Sequence, residues 1–172
     1  IFSFQNRTVI NIEKKLYFLR KVLENKYSSQ KSKPYICSFS SKTLIYKGLM
    51  SSSQLDKFYK DLTNENFITR FAIFHERFST NTNSSWKMAQ PFRLIAHNGE
   101  FNTIKGSRLW MKAREANIHS PKWNSKIEDL KPIINDYGSD SESCDNLLEF
   151  LRRSGRSLFD SMMIMIPDSY DQ

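Results

Sequence analysis

Apolar residues change their spacing along this chain, and that change limits the folds open to it. Between residues 10 and 27, Ile12, Leu16, Leu19, Val22 and Leu23 recur at helical intervals with Lys and Glu between them, which predicts one amphipathic helix. The stretch "SSQKSKP" breaks it, and Pro34 opens two β-rich runs, "YICSFSS" and "TLIYKGLM", separated by Ser41-Lys42 as a hairpin would be. "SQLDKFYKDL" reads as a short helix. "FAIFHERFS" and "RLIAH" read as strands that turn polar at their ends, with the long polar loop "TNTNSSWKMAQPF" between them.

The remainder is helical. Asn102 is placed to cap a helix through "TIKGSRLWMKAREAN", and "IEDLKPII" is a short helix interrupted at Pro132. In "GSDSESCDNLLEFLRRSG", Ser139 and Glu142 have capping-box spacing, Leu147, Leu148 and Leu151 form an apolar stripe, and Gly155 can close the end. "SLFDSMMIMIP" is expected to finish the fold as a buried element. Helix, strands, helix, strands, helices in that order is an α+β domain with an antiparallel core, and 172 residues suit one domain.

Charge and cysteine usage exclude several functions. The net charge of +8 would suit nucleic acid or another anionic partner, but the excess gathers in "EKKLYFLRKVLENKYSSQKSK", where a solvated basic helix face accounts for it. Cys37 and Cys144 have neither the number nor the spacing of a disulfide framework or a zinc site. No metal site is therefore expected, and a reducing compartment is. No run of about eighteen apolar residues is present, so no membrane partner is expected. Heavy use of Lys, Asn, Ile, Phe and Ser points to an A/T-rich genome such as an organelle's.

Three short motifs carry chemistry. In "RLIAHNGEFN" a strand ends at Asn98-Gly99, where an amide side chain and a turning backbone can present two N–H donors to a developing oxyanion; an ordinary Asn-Gly turn is the alternative. In "HERFSTNT", Arg77 near a strand end, followed by Ser79 and Thr80, can grip a carboxylate, or can be a surface ion pair. In "GSDSE", with Ser139 as the cap, Asp140 keeps a free carboxylate that can receive an ammonium group or favour the helix dipole. Together they describe a pocket for an α-amino acid whose side-chain carbonyl is attacked. A nucleophile is missing, since Cys37 and Cys144 both read as buried thiols.

"FAIFHERFSTNT", "SWKMAQPFRLIAHNGEFNTIKGSRLWMKARE", "GSDSESCDNLLEFLRRSGRSL" and "MMIMIP" resemble, in order, the glutaminase domain of the glutamate synthase large chain, a class II glutamine amidotransferase. "LYFLRKVLE" and "YICSFSSKTLIYKGLM" extend the resemblance over nearly the whole chain. It implies the four-layer αββα sandwich of N-terminal nucleophile hydrolases, in which an amino-terminal cysteine attacks the amide of glutamine and releases ammonia. The family's carboxylate-binding arginine falls on Arg77 with Thr80 near it, its oxyanion pair on Asn98 and Gly99, and its ammonium-holding aspartate on Asp140.

By this resemblance residues 1–172 are an internal segment of one amidotransferase domain. The chain starts at Ile1, so the nucleophilic cysteine is expected to lie outside it. FMN and an iron–sulfur cluster are implied for the full enzyme, in downstream domains, with ferredoxin or a NAD(P)H-oxidising subunit as electron donor. The A/T-rich composition points to the plastid stroma as the location, or otherwise the cytoplasm. The family's aromatic-proline pair is replaced by Asn83-Ser84, and Glu76 is expected to face away from Arg77. A basic nucleic-acid-binding module and a non-catalytic remnant of the fold are the competing readings.

Overall fold

The computed structural model describes residues 9–28, 34–77, 85–99, 101 and 103–166. Five α-helices are formed: α1 (Val9–Lys26), α2 (Ser52–Phe58), α3 (Lys105–Glu115), α4 (Asp140–Arg153) and α5 (Leu158–Met165). Short 3-10 turns cover Lys60–Thr63, Trp86–Met88 and Asn124–Leu130.

The core lies where α1, residues 123–134 and α4 meet. Tyr17, Trp123, Ile127, Leu130, Ile133, Ile134 and Phe150 are buried together, with Phe18, Met111, Ile118, Leu147 and Leu151 packed around them. Tyr17 and Phe18 both reach the Trp123 ring, at 5.8 and 6.3 Å between centroids, and the Trp123 indole N–H donates to Ser154 Oγ at 2.8 Å. Each fully buried apolar side chain here contributes about 1.5–3 kcal/mol.

Helix α4 has the signals its sequence promised. Ser139 Oγ accepts from the Glu142 N–H at 3.1 Å. At the other end Gly155 takes φ +102°, and its N–H and that of Arg156 donate to the carbonyls of Arg152 and Leu151 at 3.1 and 3.2 Å. That pair of bonds is a Schellman closure, which needs a left-handed residue and therefore favours glycine. The second half of the capping box is not made.

The expected strands are not formed among the described residues, and side chains explain two of the cases. In the hairpin region the Ser41 N–H donates to the Glu13 carboxylate at 2.7 Å and the Ile45 N–H to Ser38 Oγ at 3.1 Å. Backbone donors there are taken by side chains and not by a ladder. In "RLIAH" the N–H groups of Arg93, Leu94 and Ile95 all donate to the carboxylate of Asp145 on α4, at 3.2, 2.7 and 3.1 Å. Residues 71–77 also lie outside any strand or helix, with Phe71, Ile73 and Phe74 exposed.

Two further expectations are corrected. The basic face of α1 is not simply solvated: Arg20 is buried, bonding Glu24 at 2.8 Å and Glu149 of α4 at 2.5 Å. Lys21 is buried too and donates to the Pro132 carbonyl at 2.6 Å. The element "SLFDSMMIMIP" is a helix, α5, but its Leu158, Phe159, Met163 and Ile164 are exposed and Ser161 is its buried residue.

Candidate glutamine site

The segment 93–99 is held to α4 at two points one turn apart. Asp145 is fully buried, and its three backbone bonds fix the chain just before His97. Charge around it is matched, since Arg93 reaches Glu24 at 3.2 Å and the Ile36 carbonyl at 2.6 Å. A carboxylate accepting several amide donors beside a guanidinium is the arrangement that makes a buried acid tolerable.

The second point is His97. Its Nε2 lies 2.7 Å from Ser141 Oγ, in the first turn of α4. Its Nδ1 accepts from the Gly99 N–H at 3.2 Å. A neutral imidazole carries one N–H, so an Nδ1 that accepts leaves Nε2–H to donate to Ser141. Ser141 in turn donates its backbone N–H and its hydroxyl to Asp140 Oδ1, at 2.6 and 3.2 Å. The Phe101 ring meets His97 edge-on at 5.2 Å.

Asn98 is fixed from the other side. His75 Nε2 lies 3.0 Å from Asn98 Oδ1. With Oδ1 an acceptor, the His75 N–H donates, and among the described residues the two N–H donors of the Asn98 amide stay available. His75 is two residues before Arg77, so this bond brings the "HERFSTNT" motif to the "HNGE" motif, while His97 brings "HNGE" to "GSDSE".

The sequence-expected residues divide as follows. Asn98, Gly99 and Asp140 belong to one hydrogen-bonded neighbourhood. Arg77 is exposed beyond His75 and bonds none of those three. Glu76 is likewise exposed; with no strand formed, the alternation argument for its direction does not apply. Thr80 and the replaced pair Asn83-Ser84 lie outside the described residues, as do Ser79 and the expected cap Asn102.

Gly99 departs from expectation in two ways. Its N–H is engaged by His97 and is not open to a ligand. Its backbone is not left-handed either, and a Cβ there would meet only His97 Nδ1, at an ordinary 3.7 Å. Sterics around the described residues do not demand glycine. His75, His97, Ser141 and Asp145 were not singled out from sequence; the spacing of His97 immediately before Asn98 and of Ser141 immediately after Asp140 was the available signal.

Neither thiol is prepared to attack. Burial pushes the Cys37 thiol above its ordinary range, against the pull of Lys47 and Arg93. Cys144 is pushed up to about 11, by burial first and then by the negative charges of Asp145 and Asp140. A protonated thiol is a poor nucleophile. Among the described residues no group of three His, Cys, Asp or Glu side chains could hold a metal ion, and no helix is long and apolar enough to cross a membrane.

A family model described as class II glutamine amidotransferases matches residues 2–172. The chain therefore belongs to that family. Among its relatives, the chloroplastic ferredoxin-dependent glutamate synthase of Oryza sativa subsp. japonica is 46% identical over 162 residues, covering 93% of this chain and 10% of that protein. Ferredoxin-dependent glutamate synthase 2 of Synechocystis sp. is 42% identical over 160 residues, 92% of this chain and 10% of the relative. The NADPH glutamate synthase large chain of Azospirillum brasilense is 43% identical over 155 residues, 90% and 10% respectively. The chain thus spans about a tenth of the length of these relatives. A nucleic-acid module is not favoured by this membership, nor by the burial of Arg20 and Lys21.

Proposed function

We propose that the chain is part of the glutaminase of a glutamate synthase large chain, of the ferredoxin-dependent plastid type, and that it supplies the glutamine-binding side of the site. Asp140 receives the substrate ammonium, Arg77 with Thr80 grips its carboxylate, and the Asn98 amide steadies the oxyanion while Gly99, its N–H held by His97, shapes the turn. The observation that carries this reading is the hydrogen-bond chain from Asn98-Gly99 through His97 and Ser141 to Asp140. It sets donors for a carbonyl oxygen and a carboxylate for an ammonium on one short run of contacts, as an amino-acid amide requires.

In the reaction so assigned, the family's amino-terminal cysteine, outside this chain, forms the S–C bond to the substrate carbonyl. The negative charge passes to the carbonyl oxygen and is met by the Asn98 amide. Collapse breaks the C–N bond, the leaving nitrogen takes a proton, and water later cleaves the thioester to glutamate. Ammonia would then serve the synthase reaction on 2-oxoglutarate. Two thiols are fewer than the three or four that hold an all-cysteine iron–sulfur cluster, so the cluster is assigned to other domains of the complete enzyme, and FMN with it, in the plastid stroma.

We infer that the complete domain is the four-layer αββα sandwich. The apolar side chains left in solvent at Ile68, Phe71, Ile73 and Phe74, and along α5, support that reading, because packed layers would cover them.

Steady-state glutamine hydrolysis by the complete synthase polypeptide tests the roles. Asn98→Ala should cost about 3 kcal/mol of transition-state stabilisation, a fall in kcat of roughly a hundredfold, because its donors gain most when the oxyanion forms. Asp140→Asn should act chiefly by raising KM, since the ammonium is met in the ground state. An Asn98→Ala enzyme with normal kcat and raised KM would sink the oxyanion assignment. The 172-residue chain by itself should release no ammonia from glutamine; turnover abolished by Cys37→Ser or Cys144→Ser would show that one of these thiols is the nucleophile after all.

A further inference from the structure

Asp140 is the first residue of α4, and a carboxylate there has two oxygens and free rotation unless something holds it. Here Oδ1 is occupied twice by its neighbour, by the Ser141 N–H at 2.6 Å and the Ser141 hydroxyl at 3.2 Å. No bond from the described residues reaches Oδ2. Ser141 is itself buried, so its hydroxyl does not exchange partners freely with solvent. That hydroxyl has a single proton, which goes to Asp140 only if the His97 nitrogen facing its oxygen is itself a donor.

His97 is that donor. Its Nδ1 is committed to the Gly99 N–H at 3.2 Å, which forces the proton onto Nε2, 2.7 Å from Ser141 Oγ. The direction of the whole relay therefore starts at a backbone N–H: Gly99 sets the His97 tautomer, His97 donates to Ser141, and Ser141 donates to Asp140.

We propose that Ser141 and His97 are positioning residues for the ammonium group of the amino-acid substrate: they saturate Oδ1 of Asp140 and turn Oδ2 outward. This rests on the assignment of Asp140 given above. Asp145 makes the proposal testable, because its three backbone bonds hold residues 93–95 independently of His97, and removal of the relay leaves that anchor in place.

The test uses the complete synthase polypeptide and glutamine hydrolysis. Ser141→Ala removes the hydroxyl and His97→Asn removes the Nε2 donor; each should raise KM about tenfold, the factor that one lost hydrogen bond of ordinary strength produces, with kcat within about twofold. Ser141→Thr keeps the hydroxyl and should restore KM. A merely structural role would lower the fraction of active enzyme, and so kcat, with KM unchanged. Asp140→Asn is the control that separates the two layers. If it raises KM and the Ser141 and His97 variants do not, the relay is refuted and the site stands. If Asp140→Asn leaves KM unchanged, the site assignment is wrong and the relay falls with it.

Discussion

Leu130 and Ile68 are apolar side chains of nearly equal size in opposite surroundings. Leu130, 0% exposed, is enclosed by α1, α4 and the 3-10 turn that carries it; Ile68, 88% exposed, has no such enclosure. The same contrast separates two regions. Around Leu130, backbone and charge are satisfied across elements: Arg20 to Glu149, Lys21 to the Pro132 carbonyl, Asn25 to the carbonyls of Asp129 and Lys131. Among the described residues 64–71 the hydrogen bonds are local, as from the Thr69 hydroxyl to the Phe71 carbonyl. Burial and polar satisfaction rise together because a buried donor without a partner is expensive. The candidate site sits at the border, its anchors in the first region and its Arg77 in the second.

The largest effect that would break this contrast is at Asp145. Asp145→Ala leaves three amide donors without their acceptor and removes the carboxylate 4.0 Å from the Arg93 guanidinium, and should destabilise the chain by about 3–5 kcal/mol. Urea unfolding measures it. A loss under about 1 kcal/mol, within the ordinary range of surface substitutions, would mean that the two regions are not held differently.

A pH profile sharpens the comparison at intermediate scale. Lys21 and Lys47 are both lowered to about 8, chiefly by burial that disfavours their charged form. Between about 8 and the ordinary lysine value the unfolded chain binds more protons than the folded one, so stability should rise with pH. From pH 7.5 to 9 the gain should be about 1–2 kcal/mol. Above 9 the raised thiols of Cys37 and Cys144, then the raised hydroxyls of Tyr17 and Tyr35, act in the opposite sense and offset part of that rise. A urea midpoint flat from pH 7.5 to 9 would contradict the burial of these lysines.

The smallest expected effect lies in the open region. Phe74→Ser replaces a side chain that is 87% exposed, and should change the stability of this chain by less than about 0.5 kcal/mol. In the complete synthase the same change should cost more if layers cover it there. Equal small effects in both would count against the sandwich proposed above.

The helices were legible where local signals are strong. The spacing of Ile12, Leu16 and Leu23 marked α1, and Ser139 and Gly155 marked both ends of α4. Strands were not recovered because an apolar run records only a preference for extended backbone; whether a ladder forms depends on who accepts its N–H groups. At 93–95 the acceptor is a carboxylate some fifty residues away, which no local pattern announces. The motifs "HNGE" and "GSDSE", singled out in the sequence, lie against each other in the structure. The bonds joining them, from His97 to Ser141 and from His75 to Asn98, depend on tertiary placement and left only adjacency in the sequence as a trace.

The grip of Asp145 has a consequence for motion. Amide protons of Arg93, Leu94 and Ile95 point at a carboxylate with no solvent exposure, so their exchange with deuterated water requires α4 to lift away or the core to open. Three consecutive slow amides would then stand as an island beside freely exchanging residues 71–77. The turn at 97–99, mounted on such an island, is kept still by one side chain on a helix.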